Sequence, residues 1–247
     1  METNLLYYTD AYLREFDSEV VAVDYVNHEV ALAETAFFPA GGGQPHDTGE
    51  LSFADARAAV VDVAKEQGGV VWHTLAADAP LPAVGVAVHG GIDWARRYLI
   101  MRIHTAQHIL NGVIWIDHGA QVTGAQIAPP EGRLDFELPA MSQDFARFVE
   151  ARVNAVVEEN LPVRVLFMPR SEADRDPSLI RLKANLIPRS IDPLRVIDIV
   201  GLDRQADGGT HVAATAEVGQ VRVVKAESKG KANKRIRIAL DDGAPDP

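Results

Sequence analysis

His104 and His108 stand four residues apart in the run His104-Thr105-Ala106-Gln107-His108, and Asp207 and His211 stand four apart in Asp207-Gly208-Gly209-Thr210-His211. On a helix, residues i and i+4 project from one face about a turn apart, so the first pair can offer two imidazoles to one ion. The second pair sets a carboxylate and an imidazole across two glycines that let the backbone turn tightly. Three histidines and an aspartate form a donor set suited to one Zn2+. No glutamate follows the first histidine, so the zinc-protease pattern H-E-x-x-H does not fit.

The elements that must position these groups are legible from capping and periodicity. Asp93 is an N-cap, and residues 94–118 read as one long helix ending at Gly119. Before it, strand-like segments at 18–25, 29–35, 58–63, 70–75 and 84–91 are separated by a turn at His28, by Gly68-Gly69 and by residues 79–82. That spacing predicts a small β-barrel. After it, residues 122–128 and 132–138 read as a hairpin. Ser142 caps a second helix reaching Asn160, with an apolar face of Phe145, Phe148, Val149, Val153 and Val156. Further strands are expected at 163–168, 194–200, 218–226 and 234–240. The fold class is α+β: an N-terminal β-barrel-like domain over residues 1–90, then a two-layer α/β domain over 91–247 with long helices on a mostly antiparallel sheet.

Charge supports a boundary near residue 90. The 247-residue chain has a net charge of -11, and residues 1–90 carry 14 acids against 3 bases, while the remainder carries 21 of each. Two basic stripes are candidates for phosphate contact: Lys225, Lys229, Lys231, Lys234, Arg235 and Arg237, and Arg164, Arg170, Arg175, Arg181, Lys183, Arg189 and Arg195. The chain has no cysteine, so disulfides do not build it. Apolar stretches are broken by charges short of membrane-spanning length, and the acidic N-terminus lacks a signal pattern. A cytoplasmic protein with no membrane partner is expected.

The two histidine elements, in their order, resemble the editing domain of alanyl-tRNA synthetase and its free-standing relatives, the AlaX trans-editing proteins. The resemblance covers nearly the whole chain. It includes Phe38, Pro39, Ala40, Gly41, Gly42, Gly43 and Gln44, then Asp47, Gly49 and Leu51; Asp93 to Arg97 with Met101; Arg133 to Phe136; Asp203, Arg204 and Gln205; and Thr215, Glu217, Gly219, Lys234 and Arg235. It implies a zinc-dependent deacylase of mischarged tRNA(Ala), with Ser-tRNA(Ala) as main substrate and Gly-tRNA(Ala) as a second. The implied partner is the aminoacylated acceptor end of tRNA, with no ATP requirement and a monomeric or weakly dimeric state.

One position departs from the family, which reads Cys-Gly-Gly-Thr-His where this chain has Asp207. A thiolate is the softer ligand, and a carboxylate binds zinc more weakly. Asp207 either replaces the thiolate as fourth ligand or stays off the metal as a water-orienting base. His104, His108 and His211 are the other expected ligands. Three glycines let backbone approach a ligand closely, and the resemblance implies that Gly42, Gly43 and Gln44 handle substrate, with Gln44 beside Asp207 and Thr105 in the catalytic set. Thr105 is placed to meet a substrate hydroxyl, which would favour serine. Thr210 and Arg133 are pocket candidates, and Lys229, Lys231, Lys234 and Arg235 are tRNA-contact candidates. Two other functions fit the same residues: a non-catalytic, zinc-stabilised tRNA-binding module, and a zinc hydrolase of another small ester.

Overall fold

The computed structural model describes residues 2–181, 187–230 and 233–241. The chain forms two compact units, Met1–Tyr98 and Leu99–Pro247. The first holds β1 (Asn4–Leu5), β2 (Glu15–Asp24), β3 (Glu29–Leu32), β4 (Glu34–Thr35), β5 (Gly49–Phe53), β6 (Ala56–Lys65), β7 (Val71–Leu75) and β8 (Ala87–Ile92). Six strands close a barrel in the order β2-β3-β7-β6-β5-β8, with antiparallel pairs throughout. Closure leaves no open edge to pair with another chain. The period of two buries Val71, His73 and Leu75 of β7, and Phe16, Val20, Leu32, Leu51 and Val63 fill the same interior.

The predicted barrel is therefore present, but β5 was not among the predicted strands. It is short and opens on Gly49, a poor strand residue. A Cβ at Gly49 would stand 2.1 Å from the Gly91 carbonyl oxygen, so only glycine lets β5 approach β8 this closely. A buried ion pair ties the unit together. Arg97 Nε donates to Asp47 Oδ1 at 3.0 Å, its Nη1 donates to the Ala11 carbonyl, and its Nη2 meets Asp47 Oδ2 and the Ala36 carbonyl. Asp47 Oδ2 also accepts from the Phe38 amide at 2.6 Å. Both side chains are almost fully removed from water.

Helix α1 (Trp94–His118) begins where predicted: the Arg96 amide donates to Asp93 Oδ1 at 3.1 Å. Residues 100–114 are all buried, as expected of a helix that is apolar around most of its circumference. The second unit continues with β9 (Val122–Ala128), β10 (Glu131–Glu137), α2 (Gln143–Glu158), β11 (Val163–Met168), α3 (Arg170–Ala173), β12 (Leu194–Ile199), β13 (Asp203–Ala206), β14 (Val221–Ser228) and β15 (Asn233–Leu240). The expected helices on antiparallel strands are found, with the strands divided into two sheets, β14-β15-β10-β9 and β11-β12-β13. β13 was missed because its sequence, Asp-Arg-Gln-Ala, carries polar groups at its inward positions.

Helix α1 faces both sheets. Gln107 Nε2 donates to the carbonyls of Gln126 and Arg133, pinning β9 and β10. On another face, a Cβ at Gly112 would lie 2.9 Å from Leu202 Cγ and 3.1 Å from Asp203 Cβ. Glycine there is what admits the β12–β13 turn against the helix. Ser142 caps α2 by accepting from the Phe145 amide at 3.1 Å. Val149, Val153 and Val156 are buried as predicted and Val157 is buried with them, but Phe148 is 48 % exposed. Among the described residues no helix is long and apolar enough to cross a membrane.

Candidate metal centre

His104 and His108 rise from the buried middle of α1, and Asp207 and His211 come from the loop after β13. Their candidate ligand atoms all lie within 4.8 Å of one another. Asp207 Oδ1 is 3.2 Å from His211 Nε2, while its Oδ2 is 3.7 Å from His104 Nε2 and 3.9 Å from His108 Nε2. The three imidazole centroids are 4.2 to 5.2 Å apart. Metal–ligand bonds of about 2.0–2.1 Å in a tetrahedron put donor atoms about 3.4 Å apart. The Asp207–histidine separations of 3.2 to 3.9 Å bracket that spacing, the whole set lies within 4.8 Å, and three imidazoles with one carboxylate match zinc's preferences, so the donor set fits the ion.

The rings are held from behind. His108 Nδ1 lies 3.2 Å from Asp203 Oδ2, His211 Nδ1 lies 3.2 Å from Thr105 Oγ1, and His104 hydrogen-bonds the Thr210 backbone. The loop is clamped as well. Arg195 Nη1 donates to the carbonyls of Asp207 and Gly209 at 2.9 and 2.8 Å, and the Gly209 amide donates to Asp207 Oδ1 at 2.6 Å.

Electrostatics separate the four groups. Burial lowers His104 to about 4, with Asp207 opposing. Burial and then the His104 charge hold His211 well below its usual range. Burial alone would lower His108 too, but its bonds to Asp203 and Asp207 outweigh it and raise it to about 9. Burial would raise Asp207, yet the neighbouring histidines, His104 first, keep it well below the ordinary carboxylate value. Asp207 is thus held as a carboxylate and His104 and His211 as neutral imidazoles, whereas His108 carries a proton that metal ligation would have to displace.

The other predicted residues fall in several places. Thr105 is fully buried, its hydroxyl engaged by His211 and by the Val212 amide at 3.2 Å. Thr210 is also fully buried. Gly42, Gly43 and Gln44 lie in the first unit, in a tight turn in which Gly41 and Gln44 exchange both backbone hydrogen bonds; Gly42 and Gly43 have φ of 60° and 92°. Those positive angles are why glycines occupy the turn. Arg133 pairs with Asp135 at 2.7 Å and with Gln126 at 3.1 Å, and Arg235 grips the same Asp135 at 2.7 and 2.8 Å. Lys229 is exposed beside Glu227. Lys234 is buried, its ammonium donating to the Gly230 carbonyl at 2.8 Å. Lys231 and Lys183 lie outside the described residues.

Three members of the predicted basic stripes are corrected: Arg181, Arg195 and Lys234 are buried, 6 %, 5 % and 4 % exposed, and Lys234 spends its ammonium on the Gly230 carbonyl. The two arginines are committed to the site's surroundings, Arg181 to Asp203 and Arg195 to the loop. Sequence offered one signal for Arg195, a lone cation in the otherwise apolar opening of β12, Leu194-Arg195-Val196-Ile197. The buried Asp203, Gln205 and Asn111 had no comparable signal as a connected set.

A helix-borne histidine pair closed by a glycine-rich loop, in a chain that also forms a six-stranded barrel, coincides with matches to two family models. Residues 4–96 match the model for class II (A) tRNA synthetases, and residues 194–237 match the threonyl and alanyl tRNA synthetase second additional domain. The chain thus carries segments related to class II tRNA synthetases and to the additional domain of threonyl and alanyl tRNA synthetases. The chain is 37 % identical over 235 residues to the alanyl-tRNA editing protein AlaX-M of Saccharolobus solfataricus, covering 95 % of this chain and 97 % of that protein. It is 38 % identical over 245 residues to AlaX-M of Methanosarcina acetivorans, covering 97 % and 100 %. It is also 38 % identical over 246 residues to an alanine–tRNA ligase of Korarchaeum cryptofilum, covering 98 % of this chain and 26 % of the ligase. The chain belongs to the AlaX-M family of alanyl-tRNA editing proteins.

Proposed function

We propose that this protein is a metal-dependent aminoacyl-tRNA deacylase that hydrolyses mischarged tRNA(Ala), with Ser-tRNA(Ala) as its main substrate and Gly-tRNA(Ala) as a second, and without ATP. The observation that carries the reading is the convergence of His104, His108, His211 and Asp207 within 4.8 Å in a chain aligned along its length with proteins named for alanyl-tRNA editing. His104, His108 and His211 would hold one zinc ion, with Asp207 as fourth ligand. Zinc bound there supplies Lewis acidity for hydrolysis of the aminoacyl ester.

The chain's own groups account for the rest. Arg195 and the Gly209 amide fix Asp207 so that its Oδ2 faces the histidine pair. Thr105 sets specificity. A hydroxyl offers two acceptor sites and one proton. The Val212 amide uses one acceptor site, and a His211 that ligates through Nε2 uses the other through Nδ1–H. The remaining Thr105 proton is assigned to the hydroxyl of a seryl group, which an alanyl group lacks and which would have to uncover a side chain that is fully buried in this fold. A site built to bond a hydroxyl discriminates strongly against the analogue without one. Gln44 with Gly42 and Gly43, Thr210, and Arg133 are assigned to substrate handling, and Lys229, Lys231 and Arg235 to the tRNA backbone; the buried Lys234 is left out of that set.

The test is a deacylation time course of zinc-loaded protein on Ser-tRNA(Ala) and Ala-tRNA(Ala). Loss of serine with alanine retained is expected. Retained tRNA binding without hydrolysis of either ester would replace the proposal with a binding module. Cleavage of small model esters with no action on tRNA would replace it with a different hydrolase.

A further inference from the structure

Asp203 is a carboxylate with no exposed side-chain surface, outside the four-residue cluster but directly behind it. It opens β13. Its Oδ2 lies 3.2 Å from His108 Nδ1 and accepts from Gln205 Nε2 at 2.6 Å. Its Oδ1 faces Arg181 Nη1 at 2.5 Å. Gln205 Oε1 in turn accepts from Asn111 Nδ2 at 3.0 Å. Asn111 and His108 lie on α1 about a turn apart, so Asp203 and Gln205 form a short polar bridge between helix and strand. Gly112 is the opening for it, since any Cβ there would crowd Leu202 and the Cβ of Asp203.

Burying a carboxylate completely is costly unless a cation and donors compensate it. Arg181 and Gln205 provide that compensation, and Arg181 is itself held over the Trp115 ring, 4.9 Å from its centroid. An apolar residue would fill the same space without needing either partner. What it would not do is accept a proton-bearing nitrogen from the back of His108.

We propose that Asp203, charge-balanced by Arg181, is a positioning residue of the metal centre: it accepts the Nδ1–H of His108 and so turns the Nε2 lone pair toward Asp207, His104 and His211. The inference rests on the metal-binding reading above. Without the anchor an imidazole can flip or change tautomer, and either change presents N–H instead of a lone pair to the ion. A carboxylate behind the ring also makes the imidazole a stronger donor than a neutral acceptor would. The Asp207 site needs this more than a cysteine-containing site does, because its fourth donor is the weaker carboxylate.

The test compares full-length parent, Asp203→Asn and Arg181→Met. Zinc affinity is measured by chelator competition at pH 9.5, where proton competition for the imidazoles is small. The absorption spectrum of the Co2+-substituted protein and the melting of the metal-free protein are recorded beside it. Asp203→Asn is expected to bind zinc about 10–100-fold more weakly and to shift the Co2+ d–d bands. Arg181→Met is expected to change both in the same direction by less. If both variants lower the metal-free melting temperature while affinity stays within about threefold and the Co2+ bands do not move, Asp203 is a structural ion-pair partner and the inference is wrong. Should Asp203→Asn fail to fold, Gln205→Leu removes one bond to the carboxylate without touching the ion pair. A several-fold loss of zinc affinity then supports the inference, and parent-like affinity overturns it. A parent protein that binds no zinc overturns both this inference and the metal-dependent function. A zinc-binding parent with unaffected variants overturns this inference alone.

Discussion

His73 makes the barrel acid-sensitive. It points into the interior from β7, fully buried, with Nδ1 3.2 Å from the Val30 carbonyl and Nε2 2.8 Å from Thr35 Oγ1. Phe37 packs edge-on against its ring at 5.5 Å, and the Phe37 amide donates to the same Thr35 oxygen. The neutral ring satisfies every partner: Nδ1–H donates to Val30, and Nε2 accepts the Thr35 hydroxyl proton. A second ring proton has nowhere to go, and burial pushes the group down to about 4 from its ordinary 6.5. Because the folded value is depressed, the unfolded chain binds the proton first as pH falls. Stability is therefore full above pH 6.5 and is lost as pH drops toward 4. Moving from 6.5 to about 4 corresponds to about 3 kcal/mol. The perturbation is His73→Gln, which keeps a donor and an acceptor but cannot titrate. Urea unfolding is followed at pH 7.5 and pH 4.5, with exchange of the β7 amides as the barrel-specific readout. Between these pH values the parent should lose about 2–3 kcal/mol more than the variant. Parallel losses in the two proteins would refute the reasoning, whatever the variant's stability at pH 7.5.

Three further outcomes are expected. Asp47→Asn leaves the Arg97 guanidinium buried without its counter-charge and should cost about 3–5 kcal/mol in urea unfolding; a cost below about 1 kcal/mol would mean that the pair is hydrated in solution. Zinc at about 100 times its dissociation constant should stabilise the protein by about 2.7 kcal/mol, seen as a rise in melting temperature that EDTA reverses and that His104→Ala abolishes. Lys229→Ala should weaken tRNA binding and reduce the slope of log affinity against log salt by about 1, whereas an unchanged slope would remove Lys229 from the phosphate contacts.

The sequence by itself determined the elements and the donor types. Asp93, Ser142 and Gly119 marked helix ends because caps act through neighbouring residues, and every barrel strand but β5 announced itself through alternation and turns. The i, i+4 spacing of His104 and His108 fixed their shared face before any packing was known. Tertiary structure decided what lay behind and between those elements. Gly49 and Gly112 matter for what a Cβ would strike across the fold, and nothing in their neighbours foretells that. Arg181, Arg195 and Lys234 read as solvent-facing cations because charge pattern carries no record of burial; their partners lie elsewhere in the chain or in a local turn. The same holds for Asp203. Its position beside Arg204 and Gln205 was legible, but its role depends on His108, 95 residues away, and a contact at that separation exists only once α1 and β13 have packed together.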